Sequence, residues 1–416
     1  MLLNYLKIAW KVLLRHPFYT FITLFGITLT LTVLMVLTSF LDHLFGAHYP
    51  EGNRNRSLYI TMMMQTDSAR ESVNTGPYSF QFLKRHAKTL KSAERVSIAS
   101  MFGFSNSYVG GKRIKLNTKF TDADFWHVTN YKFLEGKPYN DQTIAQGERV
   151  VVITDDLKKQ YFEESTESVI GKTIEIESIT YKVMGVVRGG PPTRVYTYAD
   201  VFFPYTAPKS NYQNAGMRGG YQAIVLAKTP GDRPEIQAEY DNAIRQIPLP
   251  AKENGFTFSV IVAKADTYFD GFLRTFLRSD NEPNRLAFYG IASLVLLMFM
   301  GLPAINLVNV NVSRMLERAS EIGVRKAFGA PSQTLLGQFI IENIFITFIG
   351  GVFALGLSYL IIYYINSSGL IAYADLTINW VVFVTSLGVC LLFGLLSGVL
   401  PALKMSRLKI VDALKA

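Results

Sequence analysis

The chain has 416 residues, 49% hydrophobic and 18% charged, with a formal net charge of +10. That balance is apolar without being extreme, so water-exposed and lipid-exposed segments are expected together. One cysteine excludes an internal disulfide, and five scattered histidines offer no zinc-ligand spacing.

Residues 1–17 read as a cytoplasmic amphipathic helix, with Leu3, Leu6, Trp10, Leu13 and Leu14 near one face and Lys7, Lys11 and Arg15 on another. Such a helix suits the lipid interface and packing on the chain's own bundle equally. Residues 18–41 form an apolar run of 24 residues, long enough to span a bilayer. It is too long for the core of a signal peptide and no Ala-x-Ala site follows, so it reads as an uncleaved anchor.

Residues 42–285 alternate strand-like and helix-like patterns and read as one large domain outside the membrane. Strands are expected at 58–65 and from Glu94, with a helix between them that carries Pro77 in its first turn. The order recurs near the end as a strand at 221–228, a helix from Arg233 and a strand at 256–264. The middle is β-rich: a Gly110-Gly111 hairpin turn, a buried-type strand at 149–154, a short helix at 155–162, a hairpin from Gly171 and a strand at 199–205. The expected fold is a split β-α-β subdomain with a mostly β subdomain inserted. Residues 189–192, rich in Gly and Pro, read as a surface loop. Residues 266–278 are amphipathic and suit a coupling stalk or an interface helix.

Three further membrane helices are expected at 286–308, 335–365 and 380–400. A cytoplasmic segment at 309–334, an external loop at 366–379 and a cytoplasmic tail at 401–416 complete the chain. The amino-terminal segment, the 311–334 segment and the tail carry +3, +2 and +3 of the +10, whereas the external loop has no Lys or Arg. The positive-inside rule therefore puts both termini in the cytoplasm, and the basic balance reports orientation rather than nucleic-acid binding.

No catalytic constellation is present. Gly171-Lys172 resembles the end of a phosphate-binding P-loop, but Thr166 stands where that motif needs glycine. No Gly-x-Ser-x-Gly or His-Glu-x-x-His motif occurs. Polar groups inside the membrane runs are Asn306, Asn309 and Glu342. Glu342, beside Gln338 and Asn343, reads as a structural hydrogen-bonding group more readily than as part of a transport path. Gly350 with Ala354, and Gly394 with Gly398, give close-packing faces for a neighbouring helix or a second copy.

The segment 317–330 reads as a short helix with a charged and an apolar face, Glu321 and Arg325 being spaced i, i+4 and Gly329 supplying a stop. Residues 306–330, "NLVNVNVSRMLERASEIGVRKAFGA", resemble the segment after the second membrane helix in ABC-transporter permeases of the macrolide-exporter (MacB), lipoprotein-release and FtsX-like superfamily. Arg318, Glu321, Ile322, Gly323, Val324, Arg325, Lys326, Ala327, Gly329 and Ala330 match its pattern. The amino-terminal segment, the core of the outer domain and the carboxy-terminal tail are similar to the family as well, although Ile410 stands where the tail usually has Pro.

The resemblance implies an inner-membrane protein with four membrane helices and a large periplasmic domain between the first two. It implies a non-catalytic permease subunit, without cofactor of its own, working with an ATPase that holds ATP and Mg. With so short a segment before the first membrane helix, that ATPase is expected on another polypeptide, docked through Arg318, Glu321, Ile322, Gly323, Arg325, Lys326 and Gly329. A second permease copy or paralogue, a periplasmic adaptor and an outer-membrane channel are the further partners implied. The expected function is mechanotransmission for export from the periplasmic side; the alternative is FtsX-like signalling to a cell-wall enzyme.

Overall fold

The computed structural model describes residues 10–11, 13–15, 17–67, 73–162, 167–248, 258–277, 284–295, 298, 324, 328, 331–373 and 375–406. It forms two compact units: Leu44–Arg285, and Met1–His43 together with Leu286–Ala416.

Helix α1 (Pro17–Phe45) opens the chain. In the larger unit, strands β1 (Ser57–Ile60), β4 (Arg95–Ser100), β6 (Lys112–Thr121), β7 (Phe133–Gly136), β8 (Val150–Thr154), β10 (Ile179–Val187), β11 (Val201–Pro204) and β12 (Tyr221–Leu226) form one sheet in the order β1-β12-β4-β6-β11-β8-β10-β7. Strand β5 (Gly103–Val109) pairs β6 and β9 (Thr173–Ile176) pairs β10. A smaller sheet holds β13 (Val260–Ala263), β2 (Met63–Thr66) and β3 (Val73–Gly76) in that order. The helices are α2 (Phe80–His86), α3 (Phe125–Val128), α4 (Asp141–Ala145), α5 (Asp155–Tyr161), α6 (Arg233–Arg245) and α7 (Tyr268–Leu277).

Strands β5, β6, β11, β8, β10 and β9 nearly close on themselves. Glu177 N donates to Asn106 O at 3.0 Å and Ser107 Oγ donates to Glu175 O, which links β9 to β5. The ring encloses Leu116, Val151, Ile153, Ile174, Val183 and Phe203. A second core, with Leu58, Ile98, Val225 and Tyr240, lies under α2 and α6.

Three expectations are corrected. The strand at 58–65 is two strands in different sheets, since the chain leaves β1 at Ile60 and enters β2 at Met63. The first helix of the domain begins at Phe80, not in a turn with Pro77. Tyr78 exchanges backbone hydrogen bonds with Tyr221 at 3.0 and 2.8 Å, which keeps 77–78 extended, and Ser79 Oγ caps the helix by accepting from Phe82 N at 3.1 Å. The split part and the β-rich part share one sheet, joined through the single rung Ala99–Thr121 between β4 and β6. The loop at 189–192 is largely buried: Gly189, Gly190 and Pro191 are all inaccessible, and Gly189 N donates to Asp155 Oδ1 at 2.8 Å.

Lys119 sits beside that single rung, fully buried, with its Nζ donating to Ser100 O at 2.8 Å and Met101 O at 3.2 Å. Burial pulls its pKa down to about 7, against a small opposing pull from Glu51. The unfolded chain then holds this proton up to about pH 10.4 and the folded chain only to about 7. The cost of burying the cation is therefore complete below pH 7 and relieved as pH rises through that window. Relative to Lys119→Met, the wild type should gain ~1–2 kcal/mol of stability between pH 7 and 9, read by thermal unfolding at each pH.

The smaller unit is helical. Beside α1 it contains α8 (Arg285–Val295, from residue 286 onward), α9 (Ser332–Ser368) and α10 (Trp380–Ser406). Gly369, at φ +68°, ends α9 in the left-handed conformation that glycine tolerates best. Asn379 Oδ1 accepts from Val381 N at 3.0 Å and Val382 N at 3.2 Å and so starts α10. Among the described residues, two helices, Pro17–Phe45 and Ile340–Ser368, are long and apolar enough to cross a membrane, and Arg285–Val295 and Trp380–Leu392 are shorter apolar helices.

Candidate functional site

A buried charged cluster lies where the chain enters the larger unit. Residues 47–56 make tight turns after α1, and these turn Glu51 and Arg54, only three apart, onto each other. Arg54 Nε donates to Glu51 Oε2 at 2.7 Å, and both side chains are 3% exposed. Arg54 Nη1 also donates to Leu44 O, and its guanidinium lies 3.6 Å from the Tyr268 ring centroid. Arg194, from the buried loop, donates through Nη1 to Gly46 O at 2.9 Å. Thr197 Oγ1 donates to the second Glu51 oxygen at 2.7 Å. The last residues leaving α1 are thus gripped by two buried arginines held in place by one carboxylate.

The electrostatics follow from that composition. Burial pulls the Arg194 pKa down and the neighbouring Arg54 cation adds to it. Burial acts the same way on Arg54, but Glu51, Tyr59 and Tyr268 outweigh it and raise its pKa. Burial, reinforced by Glu51, pushes the Tyr59 hydroxyl well above its usual range.

The chain leaves the unit beside the same cluster. Phe45 packs edge-on against Tyr268, Phe269 and Phe272 of α7, with centroids 6.2, 5.5 and 5.0 Å apart. Tyr59, Tyr196 and Tyr268 pack against one another next to Arg54, Tyr268 edge-on to the other two rings. Arg274 of α7 makes a two-pronged pair with Asp266 at 2.8 and 3.0 Å, and Arg285 one with buried Asp270 at 2.7 Å on both oxygens. The charged groups of this arrangement pair with one another or with backbone carbonyls. Chemically it is a clamp, holding the incoming and outgoing chain ends together.

In the helical unit, Glu342 is buried on α9 and its Oε1 accepts from Gln338 Nε2 at 2.9 Å. Gly350 and Ala354 face α1: Thr28 Oγ1 donates to Gly350 O at 3.3 Å, Thr32 Oγ1 to Ala354 O at 3.5 Å, and Ile27, Leu31 and Ala354 share one apolar cluster. A Cβ at Gly350 would lie 2.7 Å from Ile27 Cγ2, so Gly350→Val should cost ~1–3 kcal/mol by overpacking. Adding Ile27→Ala should recover part of that loss, since the two changes share one contact; thermal unfolding in detergent checks both. Gly394 and Gly398 lie within α10, but their surroundings are outside the described residues, as are Asn306, Asn309, Arg318, Glu321, Ile322, Gly323, Arg325, Lys326 and Gly329.

Sequence reasoning missed Glu51, Arg54 and Arg194. The available signal was an acid and a base three residues apart directly after a membrane run, but nothing local tied them to a residue 140 positions later.

Two of the described helices are long and apolar enough to span a membrane, and the large α/β unit is inserted in the chain after the first of them, the build of a membrane-anchored protein with a large water-exposed part. Residues 20–243 match the MacB-like periplasmic core domain and residues 293–410 the FtsX-like permease C-terminal family. The chain belongs to this family of ABC transporter permeases.

It is similar to the macrolide export ATP-binding/permease protein MacB of Shewanella oneidensis, 25% identical over 74% of this chain and 44% of that protein. The MacB of Shewanella sp. ANA-3 is 22% identical over 98% of this chain and 60% of that protein. The chain thus spans about half the length of these curated relatives. The uncharacterized ABC transporter permease YknZ of Bacillus subtilis is 22% identical over 100% of this chain and 99% of its own length. Among solved structures, the periplasmic region of MacB from Actinobacillus actinomycetemcomitans aligns with TM-score 0.35 and 15% identity, over 54% of this chain and 94% of that one.

Proposed function

We propose that this chain is the membrane subunit of an ABC transporter that carries ATP-driven movement of a separate ATPase subunit to its outer domain, serving export from the periplasmic side. The observation that carries the reading is the clamp: Arg54 and Arg194 hold the carbonyls of Leu44 and Gly46, so a shift of the first helix reaches the domain core instead of being absorbed in a loop. The match of YknZ, a named ABC transporter permease, over 99% of its own length supports a separate ATPase.

In this reading the chain has four membrane helices, both termini in the cytoplasm and the Leu44–Arg285 unit in the periplasm, with its β-rich ring inserted into a split α/β part. Arg318, Glu321, Arg325 and Lys326 dock the ATPase, Ile322 packs beneath them, and Gly323 and Gly329 shape the segment. Glu342 and Gln338 tie helices together, and the permease works as a dimer with a second copy or a paralogue. ATP and Mg reside on the partner.

Purification of the tagged chain from its own membranes tests this. An ABC ATPase should co-purify in stoichiometric amount, with a periplasmic adaptor or outer-membrane channel if the cargo is exported. Co-purification with a cell-wall hydrolase instead of an adaptor would replace export by signalling, and no ATPase at all would sink the reading.

A further inference from the structure

We infer that the β5–β6 hairpin is a docking surface for a protein partner whose contacting segment is acidic and partly apolar. The pairing register sets Phe104 opposite Asn117, Asn106 opposite Lys115 and Tyr108 opposite Arg113. Directly paired residues point to the same side of a sheet, so these six share one face. The other face, with Ser107 and Leu116, turns into the ring, where both are 1% exposed.

The outward face is unusual in two ways. Phe104 is 77% exposed, Tyr108 64% and the adjoining Phe102 56%, the most exposed aromatic side chains among the described residues of this unit. Isolated exposed apolar residues are ordinary, but three aromatics on one hairpin make a patch. The second feature is charge. Lys112 at the tip, Arg113 and Lys115 are all exposed, and among the described residues no carboxylate pairs with any of them. Arg113 Nε donates only to Asn106 Oδ1, at 2.7 Å, which lays the guanidinium along the sheet face. Of the acids beside the hairpin, Asp200 is engaged by Asn117 and Glu177 by Lys209, which leaves the exposed Glu175 of β9 against three cations.

The shape favours a protein over a small ligand. Strand β11 pairs β6 only along Thr118–Thr121, so residues 112–117 reach past it with β5 as their paired neighbour. The outward face of this pair is an open sheet surface rather than a cleft that encloses a ligand. It suits insertion against a partner surface, where aromatic and Arg side chains supply most binding energy and charge complementarity sets orientation. Uncompensated cations commit that partner to an acidic segment. The inference goes beyond the transport reading and needs only that this unit faces water.

A photo-crosslinking residue at Tyr108 of the full chain, expressed in its own cells, tests it, with the same residue at exposed Thr89 as control. The adduct at 108 should contain a protein segment rich in Asp and Glu, with no such adduct from 89. Arg113→Glu with Lys115→Glu should lower its yield at least about tenfold. Raised salt should lower it in the unsubstituted chain too, which keeps the test valid if the double variant folds poorly. No adduct, a polysaccharide adduct, an adduct with a second copy of this chain, or a yield indifferent to salt and charge reversal would each overturn the inference.

Discussion

Glu51→Ala is expected to destabilise the larger unit by ~3–5 kcal/mol, the cost of removing one partner from a buried ion pair. The substitution leaves Arg54 and Arg194 buried beside each other, and burial and mutual repulsion already pull the Arg194 pKa down with Glu51 in place. It also removes the acceptors of Arg54 Nε and Thr197 Oγ1. Because the Glu51 and Arg54 side chains are only 3% exposed, solvent screening gives little relief. Thermal unfolding should fall by about 6–15 °C for a unit of this size. Glu177→Ala is the matched control: its pair with Lys209 is exposed at the surface, and such pairs contribute about 0–1 kcal/mol. Equal, small shifts for both variants would remove the clamp from the account.

Exchanging the charges of Glu321 and Arg325 is expected to abolish most ATP-coupled activity, at least about tenfold, without unfolding the chain. The exchange, Glu321→Arg with Arg325→Glu, keeps opposite charges at i, i+4 spacing, though in the order that is weaker in a helix, by a few tenths of a kcal/mol. An ATPase surface that reads these charges meets them reversed. Retained ATPase binding and retained coupling in the exchanged variant would assign the pair to helix stability alone.

The membrane runs were legible because periodicity and length are local properties: α1, expected at 18–41, spans Pro17–Phe45, and α9, expected at 335–365, spans Ser332–Ser368. The Gly110-Gly111 turn was legible for the same reason, both residues taking positive φ, at +54° and +79°. What escaped depends on long-range pairing. The break at Thr61–Met62 is invisible in an apolar run that serves two sheets in turn. The loop at 189–194 has a surface composition, but Gly189, Gly190, Pro191 and Arg194 are buried, and Arg194 bonds Gly46 O, far away in sequence. Lys119, a surface residue by type, is buried because the β4–β6 rung places Ser100 O and Met101 O around it. The 318–329 motif is the reverse case: legible in sequence and outside the described residues.

The central claim is that ATP bound on a partner moves the outer domain relative to the membrane helices. After Cys390→Ser, which removes the one native thiol, cysteines at exposed Lys84 and exposed Ser367 can carry a pair of spin labels. With the co-purified ATPase present, their distance distribution should differ between the ATP-trapped and nucleotide-free complex, and the Glu321/Arg325 exchange should erase the difference. An identical distribution in both nucleotide states, in a complex that hydrolyses ATP, would contradict the account.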